Sequence, residues 1–297
     1  MTTAFPAHIT TRDGLKLHAT HWPLANGVAP RAIAVIAHGL GEHAARYAPV
    51  AAALNAQGLA VVAHDHRGHG RSPGPKGRLR QDDDLLDDLA RLIDAARLAY
   101  PGLPLLLLGH SLGGALAARF VAELTEPETQ RAGWARPVEA LMLSSPALAL
   151  DLSPLQQALM ATVARWLPDV AVGNGLKHEW VCHNPDTVAA YKADPLVHDR
   201  VSGRLSHFLL AAGTLARRRA ARWPVPTLLL WGGEDRCVAP SGSAEFLSAA
   251  QSGMRAGTAR AVEGQCFQRL SHEIFFEREQ AQVLGVLTAW VARVFGG

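Results

Sequence analysis

The stretch LLLLGHSLGG spans residues 105–114 and decides the fold. A short apolar run leads into Gly-x-Ser-x-Gly, and a segment compatible with a helix follows at residues 115–124. This pattern predicts a strand, a sharp turn and a helix, with the serine held in strained backbone geometry at the top of a sheet. Gly109 and Gly113 suit such a turn because they have no Cβ to crowd their neighbours.

Ser111 is predicted to be a nucleophile, since this turn exposes its hydroxyl. The backbone N–H of Leu112 would lie at the N-terminus of the following helix, where it can bind an oxyanion. The alternative is a glycine-rich turn that happens to contain a serine. The strand before the turn and the helix after it favour the nucleophile.

The composition indicates a globular chain that can bury a large core. Of its 297 residues, 48% are hydrophobic and 19% are charged, which is too apolar for disorder. The net charge is only +3, and the basic residues are scattered apart from an arginine run at residues 217–219. A nucleic-acid partner is therefore not expected.

The cysteines and the apolar runs predict where the protein is located. Cys182, Cys237 and Cys266 lie far apart, with neither the spacing of a metal site nor that of a disulfide framework. Residues 1–13 contain no secretory signal, and no uninterrupted apolar run approaches the ~20 residues of a spanning helix. We therefore expect a cytoplasmic protein in a reducing compartment.

Strand and helix patterns alternate along the chain. Apolar runs predict strands at residues 31–37, 59–63, 105–108, 138–144, 227–231 and 258–262, and an edge hairpin is predicted from residues 8–11 and 15–22. Helices are expected at residues 47–57, 82–100, 115–124 and 279–295, the second opening on a solvated acidic run, Asp82 to Asp84. This order predicts an α/β fold, with a mainly parallel sheet and helices on both faces.

Two loops rich in glycine and histidine follow predicted strands. Residues 38–43 (HGLGEH) come directly after the first buried strand, which makes Leu40 N–H the natural second oxyanion donor. Residues 64–72 (HDHRGHGRS) contain groups that could bind a metal. Their spacing fits no zinc signature, so we favour a hydrogen-bonded loop that braces the site, and we expect no metal.

The alternation of strands and helices stops between residues 147 and 223, where the sequence predicts helices and irregular structure without a strong strand. We expect residues 1–146 and 224–297 to form the core and residues 147–223 to form a helical cap. Two apolar stripes in this segment suit either a core or a cap that roofs an acyl pocket. They consist of Leu155, Leu159, Val163, Trp166 and Leu167, and of Phe208, Leu209, Ala212 and Leu215.

If these stripes are partly exposed, the cap would also contact a membrane peripherally. Arg217, Arg218, Arg219 and Arg222 would then lie near lipid phosphates.

A serine nucleophile needs a base and an acid that orients the base. In folds with this serine turn the order along the chain is serine, acid, histidine, and His272 is the only histidine downstream of Asp235. Asp235 directly follows a predicted strand and a glycine turn, which places it at the same edge of the sheet. The other carboxylates considered for the acid are Glu234, Glu263, Asp194 and Asp199.

The motifs together resemble the monoacylglycerol lipase and lysophospholipase group of α/β-hydrolases. The matching segments are HGLGEH at residues 38–43, DHRGHGRS at 65–72, GHSLGG at 109–114, ADPLV at 193–197, GGED at 232–235 and HEIFFE at 272–277. The resemblance implies Ser111 as nucleophile, Asp235 as acid, His272 as base, and Leu40 and Leu112 as oxyanion donors. It also implies a helical cap over an acyl channel, with no cofactor.

The chain departs from this group in one place. The group usually has its histidine two or three residues after the glycine that ends the last strand, whereas residues 265–271 separate Gly264 from His272 here. We interpret the difference as a loop extension.

The expected reaction is hydrolysis of a lipid carboxylic ester, a monoacylglycerol or a lysophospholipid, through an acyl-enzyme. An acyltransferase or thioesterase could use the same three residues. A further alternative is a non-catalytic binding protein in which the extended loop holds His272 out of reach. The sequence carries no indication of an oligomeric state.

Overall fold

The computed structural model describes residues 4–25, 27–253 and 261–296, without the side chains of residues 154, 157, 159 and 161. The strands are β1 (His8–Thr10), β2 (Lys16–Trp22), β3 (Ala32–Ala37), β4 (Leu59–His64), β5 (Leu105–His110), β6 (Ala140–Ser144), β7 (Ala171–Gly173), β8 (Arg200–Ser202), β9 (Thr227–Gly232) and β10 (Val262–Phe267). The α-helices are α1 (Ala48–Ala56), α2 (Asp84–Ala99), α3 (Leu112–Glu123), α4 (Pro154–Trp166), α5 (Pro185–Ala193), α6 (Gly203–Arg219), α7 (Pro240–Gly253) and α8 (Gln280–Phe295).

Eight of these strands form one sheet, in the order β1-β2-β4-β3-β5-β6-β9-β10. The pairs from β4 to β10 are all parallel, whereas β2 pairs antiparallel with both β1 and β4. The predicted α/β fold and its edge hairpin are therefore confirmed. Because the parallel strands run the same way, the loops that follow β3, β5, β9 and β10 all lie at one edge of the sheet.

The central strands are apolar along their whole length because both faces of the sheet are covered. In β3, Ile33 and Val35 belong to one core cluster, while Ala34 and Ile36 belong to another. The first cluster also contains apolar side chains of α2 and α3, and the second contains those of α1 and α8. Burial on both faces explains why these strands show no alternation of polar and apolar residues.

The segment between β6 and β9 adds three helices, α4, α5 and α6, beside the sheet. Helix α6 packs on α3 and buries Phe208, Leu209 and Ala212. Strands β7 and β8 pair antiparallel, which adds a short two-stranded sheet to a segment in which the sequence predicts no strong strand. Each is only three residues long, too short to leave an alternating pattern in the sequence.

The last strand lies later in the chain than expected. Residues 258–260 of the predicted strand lie outside the described residues, and β10 begins at Val262 and ends at Phe267. It pairs parallel with β9, so that Gly264 lies inside the strand, opposite Leu229. The interpretation of residues 265–271 as a loop extension is therefore wrong, because only residues 268–271 connect β10 to His272.

The start of α2 is also different from the prediction of a solvated acidic run. Asp84 is buried, and its Oδ2 lies 2.9 Å from Nη1 of Arg67. The same oxygen accepts hydrogen bonds from the backbone N–H groups of Arg80 and Gln81. Asp84 thus anchors the preceding loop instead of facing solvent.

Among the described residues, no helix is both long and apolar enough to cross a membrane.

Candidate active site

Ser111 occupies a strained turn between β5 and α3. Its φ is 53° and its ψ is −116°, in the left-handed region that non-glycine residues rarely adopt. The turn is tight enough that a Cβ on Gly113 would overlap the carbonyl oxygen of Ala37, at the end of β3. The serine N–H donates to the carbonyl of Ser144 at 3.1 Å, which fixes the turn against β6. The predicted strand, turn and helix around Ser111 are present.

Asp235 and His272 come together at the same edge of the sheet. Asp235 follows β9, and its Oδ2 lies 2.7 Å from Nδ1 of His272, which follows β10. Its other oxygen, Oδ1, accepts hydrogen bonds from the N–H groups of Cys237 at 2.8 Å and Val238 at 3.0 Å. Both side chains are almost completely buried. The carboxylate is thus held by three donors and can orient the imidazole.

The other carboxylates considered for the acid contact different groups. Glu234 lies beside His183, Glu263 pairs with Arg293, Asp194 pairs with His43, and Asp199 pairs with Arg200. Of these five carboxylates, only Asp235 contacts His272.

Burial and the carboxylate act on the imidazole in opposite directions. Burial disfavours the charged form, but the charge and hydrogen bond of Asp235 outweigh it and raise the pKa of His272 above its usual value. An imidazole of this kind accepts a proton readily at Nε2 while Nδ1 stays bonded to the carboxylate. This is the property that a general base requires.

His272 lies beside the serine turn, although no hydrogen bond joins it to Ser111 within the described part of the chain. The ring of His110, the residue before Ser111, is 4.8 Å from the ring of His272. Bonds between a nucleophile and its base are often loose until substrate binds, so this placement is compatible with proton transfer.

Leu40 and Leu112 line one cavity together with Ser111. Leu112 is the first residue of α3, and Gly39 is so close to the serine turn that a Cβ there would lie 3.2 Å from Cβ of Ser111. Among the described residues, neither the N–H of Leu40 nor that of Leu112 donates a hydrogen bond within the protein. Both donors are therefore available to a substrate oxygen.

The loop at residues 64–72 is hydrogen-bonded to the loop at residues 38–43, which contains Leu40 and which we call the Leu40 loop. The N–H of His66 donates to Nε2 of His38 at 2.9 Å, and Oδ1 of Asp65 accepts from the N–H of Ala44 at 2.8 Å. The bonds match the predicted bracing loop. Burial lowers the pKa of the imidazoles of His38 and His66, which are therefore neutral.

A different trio of residues has metal-ligating atoms close together. Ligand atoms of Asp235, Cys237 and His272 all lie within 4.8 Å of one another. Burial raises the pKa of the Cys237 thiol well above its usual value, so that the thiol stays protonated. The imidazole nitrogen nearest the carboxylate is already hydrogen-bonded to it. This donor set suits the orientation of a base better than the binding of a metal ion.

A cavity of about 820 Å³ opens above the serine. It is lined by Leu40, Ser111 and Leu112 and, from the segment between β6 and β9, by residues that include Met160 and Leu209. The cavity is large enough for a drug-sized or lipid-sized ligand. Besides Ser111, its polar lining residues are Asp151, Gln156, Asn174, Ser206, Asp235, Arg236 and Ser241.

A group of charged residues that was not predicted from the sequence lies next to the site. Arg46 contacts both Glu42, which belongs to the Leu40 loop, and Glu273, which follows His272. Glu42 and Arg46 are four residues apart, a spacing that brings side chains together in a helix, although Glu42 itself precedes the short 3₁₀-helix at Ala44–Tyr47. Glu273 gives no such signal, because 227 positions separate it from Arg46.

The mostly parallel sheet, the serine turn and the Asp–His pair at its edge define an α/β-hydrolase. The family model described as "Serine aminopeptidase, S33" matches residues 28–279, and the chain belongs to this family.

Two lipases are similar to this chain over most of their length. The monoacylglycerol lipase of Mycolicibacterium smegmatis is 36% identical over 269 residues, which cover 88% of either chain. Human monoglyceride lipase is 31% identical over 246 residues, 82% of this chain and 78% of the human one. The crystal structure of a monoacylglycerol lipase from Paleococcus ferrophilus has a TM-score of 0.76 at 29% identity, covering 94% of this chain and 99% of that one. The predicted membership of the monoacylglycerol lipase group of α/β-hydrolases is confirmed.

Proposed function

We propose that the protein hydrolyses the carboxylic ester of a monoacylglycerol, with Ser111 as nucleophile, His272 as base and Asp235 as acid. The observation that carries this proposal is the 2.7 Å contact between His272 Nδ1 and Asp235 Oδ2 beside the strained serine turn. Relatives named as monoacylglycerol lipases support the substrate class. The predicted class of enzyme, a serine hydrolase of carboxylic esters, agrees with these relatives.

In the first half of the reaction, Nε2 of His272 takes the proton of Ser111 as its oxygen attacks the ester carbonyl. The N–H groups of Leu40 and Leu112 donate to the oxyanion of the tetrahedral intermediate. The negative charge of Asp235 stabilises the imidazolium that forms. His272 then gives the proton to the leaving glycerol oxygen, which leaves an acyl group on Ser111.

In the second half, a water molecule takes the place of the alcohol. His272 removes a proton from this water as it attacks the acyl carbonyl, and the same two N–H groups bind the second oxyanion. The proton returns to Ser111 when the fatty acid departs. Atoms and charges balance without a cofactor or a metal ion.

Residues 147–223 act in this proposal as a cap over the cavity. Apolar cavity residues such as Leu40, Met160 and Leu209 suit an acyl chain, and polar ones such as Asn174 and Ser206 suit a hydroxylated head group. The cap also supplies an exposed apolar surface, which supports docking on a lipid surface where such substrates reside. It comprises Leu155, Trp166, Leu167, Val170, Val172 and Leu176, which are between 37% and 79% exposed.

The arginine run suits this docking less well than the apolar surface does. Arg217 pairs with Glu245, and Arg219 pairs with Glu126. These two guanidinium groups tie α6 to its neighbours, so we assign the lipid contact to the apolar side chains. All three cysteines are free thiols, which supports a reducing, cytoplasmic location.

The test measures release of fatty acid from three oleoyl substrates: monooleoylglycerol, oleoyl lysophosphatidylcholine and oleoyl coenzyme A. We expect monooleoylglycerol to be cleaved fastest, and Ser111→Ala to lower its turnover by about 1,000-fold or more. Ser252→Ala is the matched control, because Ser252 is an exposed serine of α7 that does not line the cavity, and it should stay within about fivefold of wild type.

Each other outcome contradicts a separate part of the proposal. Faster cleavage of the lysophospholipid or of the thioester would overturn the substrate and leave the mechanism standing. Retained turnover in Ser111→Ala would overturn the nucleophile. No release from any of the three substrates would favour the non-catalytic binding protein.

A further inference from the structure

Three buried charged side chains link the loop that contains Leu40 to the loop that contains His272. They are Glu42, Arg46 and Glu273, and we call them the carboxylate bridge. Nη1 of Arg46 donates to Oε2 of Glu42 at 2.5 Å and to Oε1 of Glu273 at 2.7 Å. Nη2 of Arg46 donates to Oε2 of Glu273 at 2.7 Å, so that the guanidinium and this carboxylate form a two-pronged pair. The bridge thus contains one cation between two anions.

Each end of the bridge lies next to a group that the proposed mechanism uses. Oε1 of Glu42 accepts from the N–H of Gly39 at 2.6 Å, one residue before the oxyanion donor Leu40. Glu273 directly follows His272 along the chain. Movement of Arg46 would therefore shift the loop of the oxyanion donor relative to the loop of the base.

Three aromatic residues also contact the bridge. The hydroxyl of Tyr47 donates to Oε1 of Glu42 at 2.6 Å. The guanidinium of Arg46 lies 4.7 Å from the centroid of the Phe276 ring and 4.8 Å from that of the Tyr191 ring. Phe276 lies between β10 and α8, four residues after His272. Tyr191 lies in α5, so that the bridge also contacts the cap segment.

Stability alone is a poor reason to keep such a cluster. The side chain of Arg46 is only 12% exposed, and those of Glu42 and Glu273 are each 3% exposed. Taking three charges out of water costs several kcal/mol for each ion, and apolar side chains of similar volume often stabilise a fold equally well. What an apolar replacement cannot supply is a directional link between two loops together with a charge.

The charge of the bridge acts on the base. Beyond Asp235, the carboxylates of Glu273 and Glu42 also raise the pKa of His272, whereas neighbouring His110 is neutral because burial lowers its pKa to about 3. Burial raises the pKa of Glu273, and the two hydrogen bonds from Arg46 oppose this effect. Arg46 therefore sets the position of both carboxylates, and its hydrogen bonds to Glu273 favour the charged form of that carboxylate.

We propose that Arg46 is a positioning residue, which holds the loop of the Leu40 oxyanion donor against the loop of His272 through Glu42 and Glu273. The inference rests on the proposed function, since it assigns a role relative to that base and that oxyanion donor. Arg46 is not among the residues that line the cavity. It acts through the geometry and the charge of the two loops.

The test compares Arg46→Lys and Glu273→Gln with wild type on monooleoylglycerol. A lysine keeps the charge but cannot form the two-pronged pair, so kcat should fall on the order of 10-fold with KM within about twofold. The glutamine removes a negative charge near His272, so the acid limb of the kcat/KM profile should move to lower pH by about half a unit. A purely structural role would change neither kcat at constant KM nor the position of the acid limb.

Arg119→Lys is the matched control. Arg119 pairs with Glu123 four residues away, at 2.8 Å, and its guanidinium lies 4.8 Å from the centroid of the Trp134 ring. The pair therefore shares the four-residue spacing of Glu42 and Arg46 and the ring contact of Arg46, but it lies in α3, away from both loops. The kcat of Arg119→Lys and the acid limb of its kcat/KM profile should match those of wild type.

Failure of the positioning role and failure of the proposed function give different results. If wild type hydrolyses the substrate and both variants keep its kcat and acid limb, Arg46 does not position the site. If wild-type turnover survives Ser111→Ala, the proposed function fails instead. Thermal unfolding of each variant identifies one that does not fold, and the other variant then decides the question, since each makes its own prediction.

Discussion

Replacement of Asp235 by asparagine changes one atom at the centre of the proposed mechanism. In the structure, Oδ1 of Asp235 accepts from two backbone N–H groups, those of Cys237 and Val238. An asparagine must place its carbonyl oxygen at this position, because an amide NH₂ cannot accept hydrogen bonds. The NH₂ group then faces Nδ1 of His272, where Oδ2 of the aspartate was.

This orientation forces the wrong tautomer on the base. Facing an NH₂ donor, Nδ1 of His272 must accept, so the proton of the neutral ring moves to Nε2. A protonated Nε2 cannot take the proton of Ser111. Where an acid is replaced in this way without loss of geometry, the rate falls by about 10⁴-fold, so we expect Asp235→Asn to lose about 10³- to 10⁴-fold in kcat, or about 4 to 5.5 kcal/mol.

The assay is steady-state hydrolysis of p-nitrophenyl butyrate at pH 8, with circular dichroism to confirm that the variant is folded. Glu234→Gln is the control, because Glu234 is the adjacent residue and its carboxylate lies 3.3 Å from His183 instead of contacting His272. We expect the control to remain within about threefold of wild type. Activity of a folded Asp235→Asn within 10-fold of wild type would refute the assignment of the acid.

Three further predictions follow from the same structure. Because the base must be neutral and Asp235 raises the pKa of His272, wild-type kcat/KM should fall as the pH is lowered through a midpoint above 6.5. Replacing both Leu155 and Trp166 by serine should weaken binding to phosphatidylcholine vesicles by about 10-fold or more in a sedimentation assay, because these side chains are 79% and 72% exposed on the cap. Gly113→Ala should lower the free energy of unfolding in urea by at least about 2 kcal/mol, because its Cβ would overlap a backbone oxygen.

Each of these predictions has a control and a contradictory outcome. A flat kcat/KM profile between pH 5 and pH 8 is incompatible with a histidine base. Leu98→Ser is the control for vesicle binding, since Leu98 is 67% exposed on α2, and equal losses in the two variants would rule out docking through the cap. Gly133→Ala is the control for the turn, because a Cβ at Gly133 has no atom within 4 Å, and equal stabilities would show that the turn is not tight.

The serine turn was predictable from the sequence because its signals are local. An apolar run, two glycines around Ser111 and a helical segment directly after it allow few other conformations. The pairing of Asp235 with His272 was predictable from chain order, since parallel strands bring their carboxyl ends to one edge. These two signals led to the fold and to the three residues of the proposed mechanism.

The last strand was misplaced because its sequence is that of an edge strand. β10 reads VEGQCF, and Glu263, Gly264 and Gln265 are half-buried or exposed, so the strand lacks a continuous apolar run. Hydrogen bonding to β9 on one side is sufficient to form it. The hydrophobic pattern alone therefore predicted the strand at residues 258–262, mostly before Val262.

The carboxylate bridge could not be predicted for a different reason. The pairing of Arg46 with Glu273 depends on two loops that meet only when the sheet has formed. Charged residues are usually solvated, so their types alone gave no reason to expect burial. Tertiary contacts of this kind become visible only in the structure.

The most direct test of the proposal that His272 activates Ser111 is mass spectrometry of the protein after reaction with a fluorophosphonate. Wild type should gain one adduct, located on the peptide that contains Ser111, and His272→Ala should react at least about 100-fold more slowly. No adduct on that peptide, or equal labelling rates in the two proteins, would contradict the claim that His272 activates Ser111.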